Sequence, residues 1–150
     1  MSVWIQTCSQ KLKIVPEPLF DWSILASWGD FKMLKVPVLV VEDETELREL
    51  MREALEDEGY TVVAAPDGRA ALDAASHIDK ICLVLLDLLM PIMNGWDFLD
   101  EARKRPEFSG VPVIVHTSAP NSAPSGVAKV LQKPLQLDRL LATVHDYCAQ

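Results

Sequence analysis

From position 36 onward the apolar residues of this chain fall into two alternating rhythms. Val38-Leu-Val-Val41 is a short, wholly apolar, largely β-branched run, the pattern of a strand covered on both faces. Pro37 can stand at its start without removing a needed ladder bond. Leu47, Leu50, Met51, Ala54 and Leu55 then recur at helical spacing and predict an amphipathic helix. Acidic residues crowd its first turn, where the helix dipole favours them, and Gly59 is placed to stop it. A second strand is predicted over 60–64, a turn at Pro66-Asp67-Gly68, and an alanine-rich helix over 69–76. The third strand, 81–86, is unbroken in apolar character and ends abruptly at Asp87. A loop with Pro91 and Gly95 leads to a helix over 96–104, followed by strands over 111–115 and 127–131. Leu137, Leu140, Leu141 and Val144 mark a last helix. Strands alternating with helices imply an α/β fold, a doubly wound parallel sheet of about five strands.

Composition changes this picture mainly at the N-terminus. Residues 1–35 hold three of the four tryptophans, show no sustained period, and carry four basic against three acidic residues. The rest carries ten basic against nineteen acidic, a net −9 within a chain total of −8. A boundary near Val36 therefore separates an N-terminal extension, 1–35, from a domain over 36–150. The extension is either a start assigned upstream of Met33 or a genuine arm that packs its tryptophans on the domain or a partner. The acidity argues against a nucleic-acid partner, and no apolar stretch is long enough to span a membrane. Cys8, Cys82 and Cys148 are odd in number and lack CxxC spacing, which predicts neither a disulfide framework nor a zinc site. Cys82, inside an apolar run, is expected to be a buried, inert thiol, and a cytoplasmic location fits.

In open parallel sheets, ligands bind beyond the carboxyl ends of the strands. Strand one delivers Glu42, Asp43 and Glu44 there, strand three Asp87, and strand four His116, Thr117 and Ser118; Lys133 and Pro134 follow strand five. Taken singly, each fragment has an ordinary structural explanation: an acidic triplet can cap a helix, and an aspartate can turn a chain. Together they place carboxylates, hydroxyls and an amine on one rim. Clustered carboxylates repel and call for a cation, and Mg²⁺ suits such oxygens while keeping sites for water and a phosphate. A carboxylate so placed can attack phosphorus, with an ammonium and a hydroxyl sharing the developing charge.

These residues resemble the response-regulator receiver domains of two-component signalling. Val38-Leu-Val-Val-Glu-Asp-Glu44 is similar to the first strand and acidic pair of that family. Leu83-Val-Leu-Leu-Asp-Leu-Leu-Met-Pro-Ile-Met-Asn-Gly95 is similar to its phosphoacceptor strand and loop, Pro112-Val-Ile-Val-His-Thr117 to its fourth strand, and Gln132-Lys-Pro134 to the Lys-Pro after strand five. The likeness spans 36–147. It implies a flavodoxin-like receiver fold with Asp87 as phosphoacceptor. Asp43 and Asp87 would bind Mg²⁺ directly, Glu42 through water, and Leu89 through its backbone carbonyl. Thr117, Ser118 and Lys133 would handle the phosphoryl group, and the peptide before Pro134 would be cis. A sensor histidine kinase or phosphotransfer protein would supply the phosphoryl group.

Three departures qualify the likeness. Only sixteen positions separate Thr117 from Lys133, and 119–126 contains two prolines and no apolar period, so the family's fourth helix should be shortened to a stub or loop. Val130 stands where the family commonly has a switch aromatic. Leu89 offers no polar group to orient a water, which predicts slow self-dephosphorylation. With the chain ending soon after the last helix, a single-domain regulator acting by protein contact on a downstream target is expected, and not an enzyme. The alternative is a non-phosphorylated pseudo-receiver that docks constitutively. A dehalogenase-type phosphatase would want an aspartate at Leu89. A nucleotide- or flavin-binding sandwich would want a phosphate-binding loop where Glu42-Asp-Glu44 stands.

Overall fold

The computed structural model describes residues 36–148, together with the backbone of four two-residue strands in the first 35. Those short strands pair antiparallel, Ser2–Val3 with Val15–Pro16 and Gln6–Thr7 with Gln10–Lys11. The chain separates into two compact units, Met1–Met33 and Leu34–Gln150. The three tryptophans and Cys8 of the first unit, and with them a packing role for the arm, lie outside the described residues.

The second unit is built on β1 (Val38–Val41), β2 (Val62–Ala65), β3 (Leu83–Asp87), β4 (Val113–Thr117) and β5 (Lys129–Gln132). They form one parallel sheet in the order β2-β1-β3-β4-β5, the flavodoxin-like order expected for this pattern. The helices are α1 (Thr45–Asp57), α2 (Gly68–Ala75), α3 (Gly95–Ala102) and α4 (Leu137–Cys148). Alternation along each strand splits the core in two. Leu39, Val41, Val84 and Leu86 pack with Ala71 and Leu72 of α2 and Phe98 and Leu99 of α3. Val38, Val40, Leu83 and Leu85 pack with Met51 and Leu55 of α1 and Leu140 and Val144 of α4. Both faces of the central strands are thus dry, which is why those strands read as continuous apolar runs.

Gly59 ends α1 as expected. At φ +85° it lets its own N–H reach the Glu56 carbonyl while that of Tyr60 reaches Leu55, the paired bonds of a Schellman stop. Between β4 and β5 the structure has only the 3₁₀ turn Pro120–Ser122, so the shortened fourth helix is borne out. Several strands begin later than their apolar runs. Ile81 is buried but lies before β3, because the ladder begins where Val38 pairs with Leu83.

The cysteine expectation is corrected. Cys82, just before β3, and Cys148, closing α4, form a disulfide with Cα atoms 5.8 Å apart, and both are half-buried. A separation of 66 residues hides such a pair from spacing arguments; only the topology, which brings the start of β3 beside the end of α4, reveals it.

Candidate functional site

The carboxyl ends of β1, β3, β4 and β5 meet at one rim. Glu42 follows β1 directly and is 1% exposed, whereas Asp43 beyond it is exposed; Asp87 closes β3 and is 5% exposed. One carboxylate oxygen from each of the three lies within 4.8 Å of the others. The Lys133 ammonium stands 3.4 Å from Glu42 Oε2 and 3.5 Å from Asp87 Oδ2. Register carries it there: Thr117 pairs with Gln132, and the Lys133 amide donates to the Thr117 carbonyl at 2.9 Å. The Lys133–Pro134 peptide is cis.

Thr117 closes β4, buried, its Oγ1 accepting from the Ala119 amide at 3.1 Å. Ser118 is exposed and makes no side-chain hydrogen bond among the described residues. Leu89 donates its amide toward Asp87 Oδ1 at 3.5 Å, and its side chain is 63% exposed. Val130, on β5 opposite Val115, is half-buried and aliphatic. The structure therefore unites Glu42, Asp43, Asp87 and Lys133, and sets Thr117 at the adjoining strand end.

Helix capping does not account for the acidic cluster. Glu44 is the N-cap of α1 but makes no side-chain cap bond, unlike Asp67 and Asn94, which cap α2 and α3 through Ala70 and Asp97. The backbone of the β1–α1 loop is held instead by Arg48. Its guanidinium donates to the carbonyls of Glu42 at 2.8 Å and Asp43 at 3.3 Å and to Thr45 Oγ1 at 3.4 Å. Nothing in the sequence singled out Arg48, one basic residue in an acidic turn. Gly95 is a second support. A Cβ there would stand 2.6 Å from the Asp87 carbonyl oxygen and 2.8 Å from Leu88 Cα, so α3 can start against the backbone of the acceptor strand.

The electrostatics are those of a site awaiting positive charge. Burial, then repulsion by Asp87, pushes the Glu42 carboxyl up to about 7. Burial likewise raises Asp87, while Lys133 pulls it back down. Behind them His116, 1% exposed, is lowered to about 4 by burial and by Lys133, so its imidazole is neutral. Glu42 Oε2 is buried and accepts no hydrogen bond among the described residues. All-oxygen donors, a carboxylate oxygen without a hydrogen bond and two carboxyls raised above their usual range fit a hard divalent cation such as Mg²⁺.

The sequence pattern of the response regulator receiver domain matches residues 38–145. The chain belongs to this family. Receiver domains are signalling domains of two-component systems that accept phosphoryl groups from histidine kinases. An uncharacterised 14.6 kDa protein of Leptolyngbya boryana is 30% identical over 122 residues, covering 77% of this chain and 92% of that one. The transcriptional regulatory protein CpxR of Escherichia coli is 43% identical over 81 residues, 54% of this chain but 33% of its own length. The chain thus spans about a third of that regulator. Among solved structures, the chemotaxis response regulator CheY4 of Vibrio cholerae aligns with TM-score 0.67 and 28% identity, covering 75% of this chain and 98% of that one. The receiver domain of a Pseudomonas aeruginosa sensor histidine kinase aligns with TM-score 0.70 and 22% identity, covering 77% and 99%. That receiver holds a magnesium ion in its active-site cleft.

Proposed function

We propose that this chain is a phospho-accepting receiver of a two-component phosphorelay, phosphorylated on Asp87 with Mg²⁺ by a sensor histidine kinase or phosphotransfer protein. The observation that carries this reading is the convergence of Glu42, Asp43 and Asp87 within 4.8 Å, with Lys133 3.5 Å from Asp87. Asp43 and Asp87 would hold the ion directly, with the Leu89 carbonyl, and Glu42 through water. When bound, Mg²⁺ supplies positive charge for the phosphoryl oxygens. An Asp87 oxygen forms the new O–P bond as the P–N bond of the donor phosphohistidine breaks and its electron pair returns to the imidazole. Lys133 neutralises one phosphoryl oxygen, and the Thr117 and Ser118 hydroxyls donate to the others. Arg48 keeps the β1–α1 loop in place for the incoming ion.

The chain's own catalysis is confined to taking phosphate from the donor and losing it to water. The receiver domain covers 36–150, with 1–35 as an extension. Its output is contact with a downstream protein, without nucleic acid or membrane. No described helix is long and apolar enough to cross a membrane, and the reading puts donor and acceptor together in the cytoplasm. A constitutive docking module is the second reading, favoured by the 3₁₀ turn Pro120–Ser122 in place of a helix and by Val130 in place of an aromatic. Borohydride trapping separates the two. After incubation with Mg²⁺ and acetyl phosphate, reduction and peptide mapping should yield homoserine at position 87; an unmodified Asp87 would favour docking.

A further inference from the structure

His116 interrupts the apolar run of β4, is 1% exposed, and neither ring nitrogen has a hydrogen-bond partner among the described residues. Leaving both nitrogens unmatched in the interior is unfavourable, and a valine or leucine would fill the position without that penalty. The register shows what the ring faces. Asp87 pairs with His116 across β3 and β4, and Glu42 stands one residue past the Val41–Leu86 pair. Two residues before them, Val40, Leu85 and Ile114 lie in the same core layer. Glu42, Asp87 and His116 therefore form one row on one face of three neighbouring strand ends. Glu42 reaches along that row past Asp87, and its Oε2 stands 4.0 Å from His116 Nδ1.

The other oxygen of that carboxylate, Oε1, accepts from the Glu44 amide at 3.3 Å. Oε2 has two nitrogens near it, Lys133 Nζ at 3.4 Å and His116 Nδ1. Lys133 is shared with Asp87, and under the proposed function it neutralises a phosphoryl oxygen. His116 is then the nitrogen that stays with Glu42. We propose that His116 is a positioning residue for the metal rim, its Nδ1–H directed at Glu42 Oε2 so that this carboxylate is held toward Asp43 and Asp87. At 4.0 Å the contact is an N–H dipole facing a buried carboxylate and not a hydrogen bond, and it counts because the interior screens weakly. This tautomer leaves only Nε2, an acceptor, unmatched. The inference rests on the Mg²⁺ reading of the rim, on which His116 acts through Glu42.

The test uses the full ¹⁵N-labelled chain at pH 8, with Mg²⁺ alone as the probe. Ring-nitrogen NMR should show His116 protonated on Nδ1 and bare on Nε2, with and without the ion. His116→Leu should weaken Mg²⁺ binding about tenfold, the low end for an outer partner of a metal site, read from the amide shifts of 42–44 and 87–89. His116→Asn, which keeps an N–H near the Nδ1 position, should restore most of that loss. In a Glu42→Asp background, too short to reach the ring, His116→Leu should cost nothing further. The ring spectrum needs no substitution, so it decides even where His116→Leu fails to fold. A ring protonated on Nε2 instead, a His116→Leu protein that binds Mg²⁺ as tightly as wild type, or a His116→Asn protein as weak as His116→Leu would overturn the inference and leave the Mg²⁺ site standing. A wild type that does not bind Mg²⁺ would overturn the site reading and this inference together.

Discussion

Replacing Glu42 by glutamine should stabilise the metal-free protein at alkaline pH and leave it nearly unchanged in acid. Glu42 is buried, and its carboxyl is raised from 4.5 to about 7. A folded-state value above the unfolded one means that the folded chain holds the proton more tightly, so stability falls as pH rises from 4.5 through about 7. At about 1.4 kcal/mol per pH unit, the full interval corresponds to about 3 kcal/mol. Glutamine has no proton to lose, and the value of about 7 already includes the attraction of Lys133, so the net gain at pH 8 should be close to the same figure, about 3 kcal/mol. Urea unfolding in EDTA at pH 4.5 and pH 8, wild type beside Glu42→Gln, reads this directly. Adding Mg²⁺ at pH 8 should erase the advantage, because the ion binds the folded wild type and stabilises it by mass action. A variant destabilised equally at both pH values would refute the reasoning, since Glu42 would then be serving as an ordinary structural residue.

Other predictions concern the supports of the site. Arg48→Ala should lower stability by about 1–2 kcal/mol and weaken Mg²⁺ binding about tenfold, with Arg48→Lys intermediate, because two of the lost bonds hold ligand-bearing backbone; urea titrations with and without Mg²⁺ measure both. Gly95→Ala forces Asp87 backbone aside and should cost about 1–2 kcal/mol after the helix preference of alanine is credited, with slower phosphorylation by acetyl phosphate. Once formed, the phosphorylated protein should lose phosphate slowly, since exposed Leu89 cannot orient water; Leu89→Asn should speed the loss about tenfold in a mass-spectrometric time course. A fast wild-type loss indifferent to position 89 would exclude that assignment.

The parallel sheet was legible because its central strands are buried on both faces, and an apolar run such as 81–86 admits few other readings. Strand ends were less legible, since a buried residue such as Ile81 reads as strand although no neighbour pairs with it. The rim was legible for a topological reason. Once strands are parallel, every strand's last residue lies at one edge, so Asp43, Asp87, Thr117 and Lys133 could be grouped before any distance was known. What stayed hidden depends on side-chain reach or on distant pairing. Arg48 acts on carbonyls, which are the same at every position. The Cys82–Cys148 disulfide joins residues whose proximity follows from the end of α4 alone. The unmatched state of His116 appears only when every neighbour of the ring is known.

The central claim is that Asp87 accepts a phosphoryl group in a site completed by Mg²⁺. Intact mass after incubation with Mg²⁺ and acetyl phosphate, wild type beside Asp87→Asn, tests it most directly. The account predicts a gain of one phosphoryl group in wild type, absent from Asp87→Asn and abolished by EDTA. An unmodified wild type under the same conditions, or an adduct that persists in Asp87→Asn, would contradict it.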